Sequence, residues 1–165
     1  VSKETKVEQP RSLQPKETPE AFQKQLTAVY KAYIDMKNAF VASDAPKVAK
    51  AASTVKDKLG NVNMELLSGD AHQQWMKQLN VMKENISTIT GSKDIAVQRK
   101  AFASFSDAFY HSIKAFGLEN TEAYYQFCPM ANNNKGAYWV SDIKEIKNPY
   151  FGEAMISCGE TRDTI

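Results

Sequence analysis

Apolar residues recur every three or four positions through the first two thirds of the chain, a pattern typical of amphipathic helices. The first stripe consists of Phe22, Leu26, Val29, Tyr33, Met36 and Phe40. Similar stripes, with capping residues before them and glycines after them, predict helices over about 19–43, 45–60, 70–90 and 94–116. Because the connections are short, we predict an all-α domain built as an antiparallel four-helix bundle.

The periodicity stops at Gly117, and residues 118–165 differ in character. They hold both cysteines and seven of the 17 aromatic residues of the chain. So many large side chains would not remain in water, so we expect an irregular, aromatic-rich C-terminal segment packed back on the bundle. Within it, Tyr124–Cys128 is strand-like, and the Asn and Gly residues of 132–136 indicate a turn.

Residues 1–18 are charged, contain two prolines and offer few apolar side chains. This composition predicts a flexible tether and leaves 19–165 as a single domain. The first residue is Val rather than Met, which suggests that a leader or tag has been removed. That fits a protein of the periplasm or cell envelope, with lipid anchoring through the removed segment as one form of it. No apolar run approaches the roughly 18 residues that a transmembrane helix needs, so we predict no transmembrane segment.

Composition excludes several classes of function. The formal net charge of +2 and the lack of a basic run do not favour a nucleic-acid-binding protein. Two cysteines and two histidines are too few for a Cys/His zinc array. Phosphate-binding glycine loops, nucleophile elbows and the His-Glu-x-x-His motif are missing, so we expect no enzyme.

The sulfur atoms of the C-terminal segment are arranged in two mirrored pairs. Cys128-Pro129-Met130 is followed, about thirty residues later, by Met155-Ile156-Ser157-Cys158. Residues two apart in a strand, or three apart in a helical turn, lie on one side of the chain, so each pair can present two sulfurs to one point. Thiolates and thioethers are soft donors that prefer Cu(I) or Ag(I) to Zn(II), Mg(II) or Ca(II).

Three states of the cysteines stay open on the residues alone: a soft-metal site, a disulfide, and inert free thiols. A Cys128–Cys158 disulfide would stabilise the fold by about 3–4 kcal/mol on the loop-entropy model, and Met130 and Met155 would then be packing residues. The protein would in that case be a non-catalytic envelope interaction module. His72 lies on the apolar stripe of the third helix, where it is either a hydrogen-bonded core residue or an additional ligand.

The chain resembles the family called domain of unknown function 3347. The resemblance is carried by 125–131 (YQFCPMA), 135–139 (KGAYW), 145–152 (EIKNPYFG) and 155–159 (MISCG), and it extends upstream through 72–75 (HQQW) to about residue 25. It implies an exported, non-enzymatic protein, found alone or attached to periplasmic adaptors of copper and silver efflux pumps.

The resemblance also bears on individual residues. It implies that the four sulfur positions match those of the family, and that a histidine is frequent at position 72. The chain carries Phe127 where some members have a polar residue or histidine. We therefore predict that the protein binds Cu(I) or Ag(I) and buffers it or passes it to an efflux adaptor.

Overall fold

The computed structural model describes residues 17–165, and the predicted tether lies almost wholly outside these residues. The four predicted helices are confirmed, with bounds that differ by at most two residues. They are α1 (Glu20–Val41), α2 (Ala45–Gly60), α3 (Gly69–Thr90) and α4 (Ile95–Phe116). Each helix packs against the next along the chain, and α4 closes the bundle against α1.

Short polar side chains begin two of the helices, as the sequence predicts. The Asp44 carboxylate accepts a hydrogen bond from the Lys47 N–H at the start of α2, and Asp94 does the same for the Ala96 N–H at the start of α4. For the first helix the sequence predicts Thr18 as the N-cap, whereas the structure has Pro19 in that position.

Aromatic rings fill the space between α1 and α4. Tyr33 stacks on Phe102 with ring centroids 5.3 Å apart and also contacts Phe105 and Phe109. The predicted α1 stripe is completely buried. On α4 the apolar spacing Val97, Phe102, Phe105, Phe109, Ile113 and Phe116 predicts six buried residues, and this is wrong for Val97, which is 43% exposed.

The C-terminal segment is more regular than the sequence predicts. It forms a three-stranded antiparallel sheet of β1 (Tyr124–Cys128), β2 (Ala137–Ser141) and β3 (Glu160–Thr164), with β1 in the centre. The predicted strand is confirmed as β1. The sequence did not predict β2 and β3 as strands. For β3 the reason is that it is polar and largely exposed, and so lacks the alternation that identifies a strand.

The connection from β1 to β2 depends on residues that tolerate positive φ. Asn132, Asn133 and Asn134 have φ of 57°, 56° and 65°, which confirms the predicted turn. Gly136 has φ of 88°, and a Cβ there would collide with the ring of Phe127. The connection therefore needs glycine at this point for two independent reasons.

The sheet is fixed to the helices by polar and aromatic contacts. The Val140 N–H donates to the Tyr33 hydroxyl at 3.0 Å, and that hydroxyl lies 2.7 Å from the Ser106 hydroxyl. Tyr125 stacks on Tyr110 of α4 with ring centroids 3.5 Å apart. Helices and sheet therefore share one core. No helix among residues 17–165 is long and apolar enough to cross a bilayer.

Candidate functional site

The two cysteine sulfurs lie next to each other at the end of the sheet. Cys128 is the last residue of β1, and Cys158 lies between the 3₁₀ turn Gly152–Met155 and β3. Both are free thiols, and their Sγ atoms are 2.9 Å apart. Cys128 is buried, whereas Cys158 is partly exposed. The fold thus brings together two thiols thirty residues apart in sequence.

Asn148 holds the segment that carries Cys158. Its side chain is fully buried, and its Oδ1 accepts hydrogen bonds from the N–H groups of Tyr150 and Phe151 at 2.7 and 3.1 Å. Its Nδ2 donates to the Cys158 carbonyl oxygen at 2.8 Å. One amide side chain therefore ties the turn at 149–151 to the backbone of the second thiol.

Gly159 allows this segment to approach β1 closely. A Cβ at this position would lie 2.9 Å from the Phe127 carbonyl oxygen and 3.0 Å from the Trp139 ring. Its φ of 145° is also unfavourable for other residues. Any side chain here would push Cys158 away from Cys128.

The neighbouring thiol changes the acidity of Cys158. Its hydrogen bond with Cys128, followed by burial, raises the pKa of the Cys158 thiol to about 11. The Met130 N–H acts in the opposite direction by stabilising the thiolate. Cys158 is therefore protonated at neutral pH, and any metal that binds its thiolate must displace that proton.

The two predicted methionines line the same cavity. Met130 is 47% exposed and Met155 is partly buried. The cavity has a volume of about 630 Å³ and is enclosed by the start of α4, the turn 130–134 and the segment 150–155. The two methionines therefore share one cavity, and each is two or three residues from a cysteine in sequence, but neither Cys128 nor Cys158 is among the residues that line it.

His72 is not brought to the sulfurs. It lies partly buried in the first turns of α3, one turn before Trp75, whose ring packs against Phe116 at the C-terminal end of α4. The methionine-lined cavity reaches only to Ala103 on the same helix. The 13 residues from Ala103 to Phe116 span about 20 Å of helix. His72 and the sulfur pairs therefore lie toward opposite ends of the bundle.

Nitrogen and oxygen side chains do not form an alternative metal site in the part of the chain that the structure describes. No group of three or more His, Cys, Asp or Glu side chains within residues 17–165 is arranged to hold a metal ion. A site built from the two thiols and the thioethers of Met130 and Met155 would not need such a group. The donor set therefore fits a soft monovalent cation better than zinc or calcium.

Two cations that the sequence reasoning missed anchor the C-terminal segment. Arg99 donates from Nε to the Pro149 carbonyl at 2.8 Å and from Nη2 to the Phe40 carbonyl at 2.9 Å. Lys37 is 1% exposed, with its Nζ 3.9 Å from Asp142, and burial lowers its pKa. Lys37 adjoins the first apolar stripe, which weakly indicated that it is buried. Nothing in the sequence indicated the contacts of Arg99.

The fold and the site define a mostly helical protein in which a four-helix bundle carries a small antiparallel sheet with a pair of adjacent free thiols. Comparison with family models identifies it further. The model described as "Protein of unknown function (DUF3347)" matches residues 29–121, so the chain belongs to that family. No curated protein matches the chain, and neither does any solved structure.

The matched range covers most of the helical bundle and includes His72, but it ends before β1. The family assignment therefore rests on the helices. The resemblance proposed from the sulfur motifs at 125–159 lies outside the matched residues, and the roles of those sulfurs depend on their own geometry.

Proposed function

We propose that the protein is an exported metal-handling protein that binds Cu(I) or Ag(I) through its C-terminal sulfurs. In this proposal it buffers the ion or passes it to a periplasmic adaptor of a heavy-metal efflux pump. The observation that carries the proposal is that two free thiols thirty residues apart in sequence are neighbours in the fold, each with a methionine two or three positions away, and that both methionines line one cavity.

The chemistry of the donors supports this choice of metal. Cys128 and Cys158 supply two thiolates, and Met130 and Met155 supply thioethers, all of them soft ligands. Metal–sulfur bonds of about 2.3 Å would place the bound sulfurs about 4 Å apart. Binding therefore needs the two Sγ atoms to separate by roughly 1 Å.

The same geometry favours a second role. Two adjacent thiols can lose two electrons and two protons to an oxidant and form a disulfide, which cannot bind the metal as thiolates. In an oxidising compartment the pair would then be a structural link, and the protein would be a non-catalytic envelope interaction module. Counting free thiols in the protein as isolated from its native compartment distinguishes the two roles.

A competition titration tests the metal proposal directly. Reduced protein is titrated anaerobically with Cu(I) against a bathocuproine-type chelator, and we expect one ion to be withdrawn per chain. Replacing both cysteines by serine should abolish this competition. The double variant Met130→Ala/Met155→Ala should weaken binding by about thirtyfold, since two lost ligands at on the order of 1 kcal/mol each amount to about 2 kcal/mol.

Met76→Ala is the matched control, because Met76 is partly buried on α3 and is not part of the cavity lining. It should leave the Cu(I) affinity unchanged. Failure of the reduced protein to compete would contradict the proposal as a whole. An unchanged affinity in the double methionine variant would contradict the four-sulfur site and leave only the two thiols.

A further inference from the structure

The wall of the cavity beside the sulfur pairs includes Arg99, a cation without a carboxylate partner among residues 17–165. Arg99 forms part of its wall and uses Nε and Nη2 to hold two carbonyl oxygens and the Ser43 hydroxyl. These acceptors are neutral. Within residues 17–165, no carboxylate lies within 4 Å of the Arg99 guanidinium, and burial lowers its pKa without a compensating anion.

A second cation lines the same space. Lys100, the next residue of α4, is exposed and has no ion pair among the described residues. The nearest N-cap carboxylate, Asp94, is engaged by the Ala96 N–H and does not line the cavity. The lining therefore combines two positive charges with no negative one.

The rest of the wall is mainly apolar. Ala103, Phe151 and the two methionines present hydrocarbon and thioether surface, and the amides of the turn 132–134 add polar groups at one side. Its volume of about 630 Å³ falls within the range of small-molecule sites. A partly buried cation in apolar surroundings is stabilised by an anion that comes with its own apolar body.

We propose that this cavity is a binding site for a small organic carboxylate with an apolar body of medium length, the carboxylate pairing with Arg99 and Lys100. The site goes beyond the proposed metal binding and does not depend on it. An apolar chain would lie against Phe151, Ala103 and the methionines, while the carboxylate accepts hydrogen bonds from the two cations.

The test uses decanoate as the probe, below its micelle concentration, with calorimetry and amide NMR shifts as readouts. The protein is the full-length variant with both cysteines replaced by serine, so that loss of metal binding and loss of carboxylate binding are separate results. Decanol supplies the apolar body without charge, acetate the charge without the body, and decyltrimethylammonium the opposite charge. We expect saturable binding of decanoate alone, with shifts in the first turns of α4 and at 130–134.

Variants locate the site. Lys100→Met should weaken decanoate binding by about three- to fivefold, since an exposed charge contributes up to about 1 kcal/mol. Lys24→Met, an exposed lysine on α1, is the matched control and should have no effect. Ala103→Leu fills the cavity without touching the Arg99 contacts and should also weaken binding.

Equal binding of decanol and decanoate would overturn the proposal, because the charge would then play no part. So would shifts confined to another face, or an affinity unchanged in both Lys100→Met and Ala103→Leu. Binding to anionic vesicles without binding of free decanoate would indicate a lipid surface and would likewise overturn it.

Discussion

At the scale of single residues, the Tyr33 hydroxyl connects the sheet to the helices. It accepts the hydrogen bond of the buried Val140 N–H and lies 2.7 Å from the Ser106 hydroxyl. Tyr33→Phe keeps the ring stacking but leaves that N–H without its partner, so we expect a loss of about 1–3 kcal/mol in the free energy of unfolding. Urea denaturation measures it.

Tyr124→Phe is the control for this substitution. The Tyr124 hydroxyl also donates a hydrogen bond, but its acceptor is the Glu122 carboxylate at the surface. Removing it should change stability by less than about 0.5 kcal/mol. Similar losses of unfolding free energy in the two variants would mean that the Tyr33 hydroxyl contributes no more to stability than a surface hydroxyl.

Asn148 offers a residue-scale test of how the thiols are positioned. Asn148→Ala removes one donor and an acceptor shared by two N–H groups, so we expect a loss of about 2–3 kcal/mol. Because Cys158 then loses its backbone tether, disulfide formation with Cys128 under a mild thiol oxidant should slow. Asn85→Ala is the control, because Asn85 is partly buried on α3 and its amide donates only to the Val81 carbonyl. An oxidation rate unchanged in Asn148→Ala would show that the thiols are positioned without this side chain.

At the scale of elements, β3 is attached to α4 by an acidic side chain. The Lys114 ammonium donates a hydrogen bond to Asp163 at 2.7 Å, and together with the Tyr110 hydroxyl it holds the pKa of that carboxyl below its usual value. A carboxyl whose pKa is lowered by folding stabilises the folded chain at pH values above its ordinary pKa, near 4. This contribution is lost as the pH falls through the lowered pKa of the folded chain.

We therefore expect the attachment of β3 to weaken in acid. The pair is partly exposed, with Lys114 54% and Asp163 28% exposed, so its contribution is under about 1 kcal/mol. Denaturation midpoints measured between pH 3 and 7 should fall less steeply on the acid side in Asp163→Asn than in the parent chain. Identical slopes would contradict the role given to this carboxylate.

Elements differed in how far the sequence could predict them. The helices were predictable because stripes such as Phe22 to Phe40 repeat over five turns, and β1 because it is short, aromatic and followed by a turn. β3 could not be predicted, because its residues are polar and form a strand only by pairing with β1. In the site, the proximity of each methionine to a cysteine could be read from chain order. The contacts that join the two pairs could not, because Arg99 and Asn148 act on residues 50 and 10 positions away.

At the scale of the whole molecule, the family match and the folding unit have different limits. The match ends at residue 121, whereas the core continues through Trp139 of β2 and Tyr150, which contact each other, and Tyr150 also contacts Phe102 of the bundle. Residues 122–165 contribute several buried large side chains, each worth about 1.5–3 kcal/mol.

We therefore expect a chain ending at Thr121 to keep helical structure but to lose fixed packing, because the aromatic surface of α1 and α4 is uncovered. Far-ultraviolet circular dichroism should show helix without a cooperative thermal transition, and a hydrophobic dye should bind. The full-length chain with both cysteines replaced by serine is the control, and it should unfold cooperatively because the sheet is intact. A cooperative transition of the shortened chain at the full-length midpoint would show that the matched helices fold alone, with the sulfur-bearing sheet only an attachment to them.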